Sequence, residues 1–137
     1  MGAKEILLKD LCDSDHSGGT ELIHNALIAA GLKYKGSSNS QTLLYYFRRD
    51  GNEIGIAAMR GSPALLSLPT SFWRGRANLR DAIDKASPYY IEPEGFVSTS
   101  QYSAGQLRIT TSSLETLLSI INDVIIPEAR TVGHKQG

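Results

Sequence analysis

Arginines are concentrated in the middle of the chain, where they could bind phosphate groups. Residues 41–80 contain six arginines and two acidic residues, although the 137-residue chain has 14 basic and 14 acidic residues in total. A guanidinium group matches the oxygens of a phosphate, and an indole ring can stack on a base. The sequence therefore predicts a surface that binds nucleic acid or a nucleotide. Its residues would be Arg48, Arg49, Trp73, Arg74 and Arg76.

Two alternatives weigh against this surface. Trp73 could belong to the core, and the arginines could pair with acidic side chains, as the four-residue spacing of Arg80 and Asp84 on a helix would allow. The neutral net charge also disfavours binding that depends only on phosphate neutralisation. Whether the arginines meet in space is decided by the fold.

A second candidate is the polar loop from Asp13 to Gly18. Its spacing matches the first six positions of a calcium loop, which places oxygen ligands at positions 1, 3 and 5 and glycine at position 6. The match then fails, because position 12 is His24 instead of a bidentate glutamate. Asp13 and Asp15 are the candidate metal ligands. The alternative is a solvated loop whose Ser and Asp residues cap the following helix.

A third candidate is nucleophilic catalysis by Cys12, with His16 or His24 as the base and an aspartate to orient it. The residue types suit a small hydrolase or transferase, with metal assistance from the neighbouring aspartates. The alternative is that Cys12, next to Leu11 at a helix end, is a small buried apolar residue.

A fourth candidate is the long polar segment 98–105. Hydroxyl and amide groups there could line a ligand pocket, since long loops often carry function. They could equally form a plain connection between strands. The candidate ligand-binding residues are Ser98, Ser100, Gln101 and Tyr102.

The elements that would position these residues follow from hydrophobic spacing. Apolar residues at helical spacing predict helices at Lys4–Leu11 and Thr20–Ala30, with Gly31 as a C-terminal cap. Gly36–Gln41 is expected to be a linker. Segments whose alternate residues would form one apolar face, together with the Asp50-Gly51 turn, then predict an antiparallel meander. Its strands would be Thr42–Arg49, Glu53–Met59 and Ala64–Leu68.

The rest of the chain predicts two more helices and further short strands. A helix is expected between Pro69 and Pro88, and a capping box at Ser112 and Glu115 predicts a long final helix that ends near Pro127. Residues 131–137 would form a flexible tail. The additional strands would be Tyr89–Ile91, Phe96–Thr99 and Leu107–Ile109.

Together these elements predict one α+β domain spanning residues 1–137: a small antiparallel meander sheet packed against about four helices, two N-terminal and one long C-terminal. The composition, 41% apolar and 20% charged, is that of a globular protein, and no stretch has the length of a membrane span. With a single cysteine, no internal disulfide can form, so a reducing cytoplasmic location is expected. No cofactor is implied.

The leading functional hypothesis is a non-enzymatic module that binds a phosphate-bearing partner through the arginine and tryptophan surface. The alternative is the hydrolase or transferase centred on the Cys12–His24 loop. A third hypothesis is a structural or regulatory protein–protein interaction domain, a homodimer for example. It would use a sheet face exposing Tyr46 and Tyr90.

Overall fold

The chain folds as an antiparallel sheet packed against helices from both ends of the sequence. The computed structural model describes residues 3–15, 17–37, 42–61, 64–69, 72, 90–91 and 105–134. The helices are α1 (Ala3–Ser14), α2 (Gly19–Ala29), α3 (Leu114–Ile120) and α4 (Ile126–His134), with a π-helical turn (Ile121–Ile125) between the last two. The strands are β1 (Lys33–Ser37), β2 (Thr42–Arg49), β3 (Asn52–Arg60), β4 (Leu65–Leu68), β5 (Tyr90–Ile91) and β6 (Gly105–Arg108). The predicted α+β class is confirmed.

The strands of the described residues form one sheet in the order β1-β2-β3-β4-β6-β5, and every neighbouring pair is antiparallel. The first four strands are a meander. Its central hairpin turns at Asp50 and Gly51, whose φ angles of 53° and 80° are the positive values that a two-residue hairpin turn requires. The β2–β3 register shifts between Tyr45 and Tyr46, which places a bulge in the middle of the sheet.

Strand β1 corrects the sequence analysis, which assigned Gly36–Gln41 to a linker. Gly36 and Ser37 continue the strand and pair with Leu43 and Thr42 of β2. Glycine and serine have low strand propensity, but the ladder with β2 supplies hydrogen bonds that local propensity does not count. The predicted strand Phe96–Thr99 and, apart from buried Phe72, the predicted helix between Pro69 and Pro88 lie outside the described residues.

One face of the sheet, here called the helix-covered face, carries the core. Tyr45 of β2 is fully buried on this face, and so are the α2 residues Ile23 and Leu27. Helix α2 ends in a Schellman motif: Leu32 N–H donates to the Leu27 carbonyl, and Gly31, at a φ of 98°, adopts the left-handed conformation. Core residues of the helix-covered face include Leu43, Tyr45, Ala57, Met59, Leu66, Leu68 and Leu107.

The C-terminal helical segment continues through Pro127 to His134, beyond the predicted end near Pro127 and into the predicted tail. Proline has no N–H and its ring crowds the carbonyl four residues earlier, which usually ends a helix. Here the carbonyl four residues before the proline belongs to Asp123, which lies in the π-helical turn Ile121–Ile125, and a π turn is wider than an α turn, so it accommodates the ring more easily. The segment buries Leu117, Ile121 and Ile125 in the core.

The start of this segment also differs from the predicted capping box at Ser112. Helix α3 begins at Leu114, so its N-cap is Ser113 and not Ser112. The fully buried Ser113 hydroxyl donates to the Arg108 carbonyl at 2.7 Å and accepts from Thr110 N–H at 2.9 Å. The serine therefore fastens the helix start to the end of β6. None of the helices in the described ranges is long and apolar enough to cross a membrane.

Candidate functional site

The polar loop before α2 is built around the carboxylate of Asp15. One of its oxygens accepts from the backbone N–H and hydroxyl of Ser17, at 2.9 and 2.6 Å. The other accepts from the N–H and hydroxyl of Thr20, both at 2.7 Å. Gly18, the N-cap of α2, has no side chain, so Asp15 supplies the missing cap from outside the helix. Burial alone raises the pKa of Asp15, but these hydrogen bonds outweigh burial and the pKa ends below its usual value.

The residues predicted as metal ligands do not converge. Asp13 lies in α1, exposed, and pairs with Lys9 one helical turn earlier at 2.7 Å, whereas Asp15 already accepts four hydrogen bonds. Among the described residues no group of three or more His, Cys, Asp or Glu side chains could hold a metal ion. His16 lies outside the described residues.

Cys12 lies in the last turn of α1, partly buried. Burial raises the pKa of its thiol, and the nearby carboxylates of Glu21, Asp13 and Asp15 raise it further. A nucleophilic cysteine needs the opposite surroundings, with cationic groups that stabilise the thiolate. Within the described part of the chain Cys12 has no hydrogen bond to His24. The environment of Cys12 thus favours the unreactive thiol.

His24 instead pairs with a tyrosine that the sequence did not connect to it. Its Nδ1 atom lies 2.7 Å from the hydroxyl of Tyr45, and the ring of Tyr34 meets the imidazole edge-on at 4.7 Å between centroids. Burial strongly raises the pKa of Tyr45, so its phenol stays protonated, and the imidazole tautomer sets whether the hydroxyl donates to Nδ1 or accepts from it. Lys4 lies over the outer side of the Tyr34 ring at 4.6 Å. These contacts join α1, α2, β1 and β2.

The His24–Tyr45 pair leads to a prediction about pH. Burial lowers the pKa of His24, against a smaller opposing effect of Glu21, so the unfolded chain binds this proton more readily than the folded chain. Above about pH 6.5, His24 is neutral in both states, so we expect its titration to leave the free energy of unfolding unchanged there. Below that pH the unfolded chain takes up the proton first, so the free energy of unfolding should decrease as pH falls. Urea unfolding of wild type and His24→Gln at pH 7.5 and 5.5 measures the effect. An equal pH dependence in both proteins would contradict the prediction.

The other face of the sheet, here called the basic face, collects cationic residues from four strands. Strand register places Lys35 beside Leu44 and Arg60 beside Thr42, and alternation puts Leu44, Tyr46 and Arg48 on the side opposite Tyr45. All of the cations are exposed, and Glu53 is the only acidic strand residue on this face within the described ranges. The cations of the basic face are Lys33, Lys35, Arg48, Arg60 and Arg108.

At one end of the basic face, two cations surround a tyrosine and share one carboxylate. Lys35 Nζ and the Arg48 guanidinium lie 5.6 and 6.0 Å from the centroid of the Tyr46 ring. Glu53 accepts from Lys35 and, at 3.3 Å, from Arg48. The hydrogen bond from Lys35 is the main reason that the pKa of Glu53 lies below its usual value. We call Lys35, Tyr46, Arg48 and Glu53 the Tyr46 cluster.

At the opposite end of the strands, Arg60 and Arg108 flank Leu65 in one cross-strand row, and we call them the Arg60 pair. Two strand spacings separate them, about 10 Å. Neither arginine has an ion-pair partner among the described residues, and Lys33 has none there either.

The structure separates some of the residues that the sequence grouped together. Arg48 and Arg49 are consecutive on β2 and lie on opposite faces of the sheet, and Arg49 approaches Asp50 to 4.0 Å. Tyr46, expected to be exposed for a protein interface, is only 8% exposed. Several predicted site residues lie outside the described residues: Trp73, Arg74, Arg76, Ser98, Ser100, Gln101 and Tyr102.

Four cations of the basic face were missed by the sequence analysis. Lys33 and Lys35 escaped because β1 was not recognised, although Lys33-Tyr34-Lys35 has the polar–apolar alternation of an edge strand. Arg60 and Arg108 lie 48 residues apart in sequence, and only the registers of β3 and β6 against β4 bring them together. No sequence pattern carries that information.

Comparison with known proteins identifies no relative of this chain. The chain matches no protein-family model, and neither characterised proteins nor solved structures include a similar chain.

Proposed function

We propose that the protein is a non-enzymatic binding module that engages a phosphate-bearing partner, a nucleic acid or a nucleotide, through the basic face. The observation that carries this proposal is the strand register, which gathers five exposed cations on one side of the sheet against the single carboxylate of Glu53 in the described ranges. Such a surface attracts anions, and its arginines can bind phosphate oxygens in pairs.

In this proposal one face of the sheet forms the core and the other binds the ligand. Tyr45 and its neighbours on the helix-covered face are buried and build the core. On the basic face the Tyr46 ring is also buried, so it does not offer a free stacking surface, but it holds Lys35 and Arg48 close together. Two cations fixed near one another lose less side-chain entropy when they bind a phosphate than two mobile ones.

The proposal also includes the other residues of the phosphate-binding surface that the sequence predicted. Trp73, Arg74 and Arg76 would add to the phosphate-binding surface. The catalytic alternative at the Cys12–His24 loop receives less support, because the carboxylates around Cys12 favour its thiol and Asp15 is committed to capping α2.

The proposal is tested by titrating a fluorescein-labelled 12-nucleotide single-stranded DNA at 50 and 200 mM salt. We expect wild type to bind more weakly at the higher salt, since phosphate contacts release counterions. The Lys35→Gln/Arg48→Gln double variant should bind more weakly than wild type at low salt. The matched control is Lys9→Gln/Arg130→Gln, which removes two exposed cations from helices. Salt-independent binding, or equal losses in both double variants, would refute the proposal.

A second prediction concerns Glu53, whose substitution should increase the affinity for the oligonucleotide instead of decreasing it. It competes with phosphate for Lys35 and Arg48, so Glu53→Gln should tighten binding of the same oligonucleotide by roughly two- to fivefold, the range expected for releasing an exposed ion pair. Asp50→Asn is the control, because it also removes one negative charge but lies in the hairpin turn beside Arg49. If both variants tighten binding equally, only net charge matters and the basic face is not the site.

A further inference from the structure

Four of the five cations of the basic face, all except Lys33, are divided between two separate places, the Tyr46 cluster and the Arg60 pair. Arg60 pairs in register with Thr42, and Thr42 lies six residues before Arg48 on β2. Six residues of extended strand span about 20 Å, so Arg48 and Glu53 lie near the opposite end of the strands from the Arg60 pair. The backbone of Lys35 lies between these ends, opposite Leu44, but its amine is directed toward Glu53, to which it donates a hydrogen bond. A single phosphate group, or the linked phosphates of one nucleotide, is too small to contact both.

The two places also differ in how their charge is balanced. In the Tyr46 cluster, Glu53 already engages Lys35 and Arg48. In the Arg60 pair, the arginines face no carboxylate among the described residues and are spread over about 10 Å across three strands. A ligand that touches only the Tyr46 cluster leaves the unneutralised end of the face unused.

We infer that the ligand of the basic face is a polynucleotide strand of several nucleotides, whose phosphates contact the Tyr46 cluster and the Arg60 pair together. This inference rests on the proposed function and narrows it, since it selects nucleic acid over a mononucleotide. The exposed cations spaced along and across the strands match the repeating charge of a phosphodiester backbone. Contacts of this kind bind the backbone and carry no base sequence information directly.

Salt dependence gives a quantitative consequence. For single strands, the slope of log affinity against log salt concentration is roughly −0.7 for each phosphate neutralised. If all five cations contact phosphates, the slope for a 12-nucleotide strand should approach about −3.5, and removal of the Arg60 pair should reduce its magnitude by about 1.4. A mononucleotide bound only at the Tyr46 cluster should be insensitive to the Arg60 pair.

The experiment measures binding of single-stranded 12-nucleotide DNA and of ATP to wild type, Arg60→Gln/Arg108→Gln and Lys35→Gln/Arg48→Gln at several salt concentrations. Far-UV circular dichroism of each variant checks that the exposed substitutions leave the fold intact. We expect the first double variant to lose affinity and salt slope for the 12-mer while its affinity for ATP stays unchanged. The second should lose affinity for both ligands.

The possible failures are distinguishable. If Arg60→Gln/Arg108→Gln binds the 12-mer with wild-type affinity and slope while Lys35→Gln/Arg48→Gln is impaired, the proposed function stands and the polynucleotide inference is overturned. ATP binding as tight as that of the 12-mer would overturn it as well. If neither double variant changes the binding of either ligand, the basic face is not a phosphate site and both proposals fall.

Discussion

Replacing Tyr45 by alanine is expected to lower the free energy of unfolding by roughly 3–5 kcal/mol, the usual cost of truncating a large aromatic side chain in a core. Tyr45 is fully buried on β2, stacks on Tyr34 with 5.9 Å between the ring centroids, and hydrogen-bonds His24. Because small domains have a total stability of about 5–15 kcal/mol, the loss is a large fraction of it. Urea unfolding followed by far-UV circular dichroism measures the change.

The Tyr45→Phe variant separates the ring from its hydroxyl. It keeps the packing and removes only the hydrogen bond to His24, a partly buried residue. We expect a loss of about 1 kcal/mol, typical of one hydrogen bond. A cost for Tyr45→Ala no greater than that for Tyr45→Phe would mean that the core does not depend on this ring.

The second large effect is expected for Asp15→Ala, which should destabilise the protein by about 2–4 kcal/mol. The substitution removes the cap of α2, worth about 0.5–2 kcal/mol, and leaves the hydroxyl of Thr20, only 1% exposed, without its acceptor, at a further cost of about 1–3 kcal/mol. Urea unfolding at pH 7 measures the loss.

Asp13→Ala is the matched control, because it removes a carboxylate two residues away, in the last turn of α1, that does not cap α2. Asp13 forms an exposed pair with Lys9, which solvent and salt screen, so its loss should cost much less than the loss of Asp15. The pH dependence gives an independent check. The lowered pKa of Asp15 contributes stability above the unfolded-state pKa of about 3.9, and this stability is lost as pH falls through the folded-state pKa. Equal losses in the two variants would show that Asp15 is not the cap.

The cap and the basic face suggest different uses for charge in this protein. Asp15 is partly buried, and its carboxylate accepts hydrogen bonds from backbone and hydroxyl donors, which stabilises the loop and the start of α2. The basic-face cations are exposed and, apart from the Tyr46 cluster, have no carboxylate partners among the described residues. Charge that contributes little to folding is available for a ligand, which is the physical basis of the proposed function.

Elements with strong local signals were predicted well from the sequence. Thr42–Arg49 was predicted with its observed limits, since the segment is rich in aromatic residues, its alternate positions Leu43, Tyr45 and Phe47 form one apolar face, and Asp50-Gly51 favours a two-residue turn. The Schellman end of α2 follows from Gly31, whose missing Cβ permits the left-handed conformation. These features depend on neighbouring residues only, so local patterns are enough to find them.

Features that depend on distant partners were not predictable. Strand β1 forms because β2, which follows it in the chain, completes its ladder of hydrogen bonds. The hydrogen bond between His24 and Tyr45 joins residues 21 positions apart on different elements. Each outcome is set by packing between elements, which local propensity does not describe.

The sequence by itself determined the α+β class, the central hairpin and the excess of arginine in the middle of the chain, because composition and short-range periodicity encode them. Only the tertiary structure decided which charges share a surface. Strand alternation sends Arg48 and Arg49 to opposite faces, while antiparallel register brings Arg60 and Arg108 into one row across Leu65. Strand register determines which charged side chains are neighbours on a face of the sheet, and this register is fixed by the pairing of strands that are far apart in the chain.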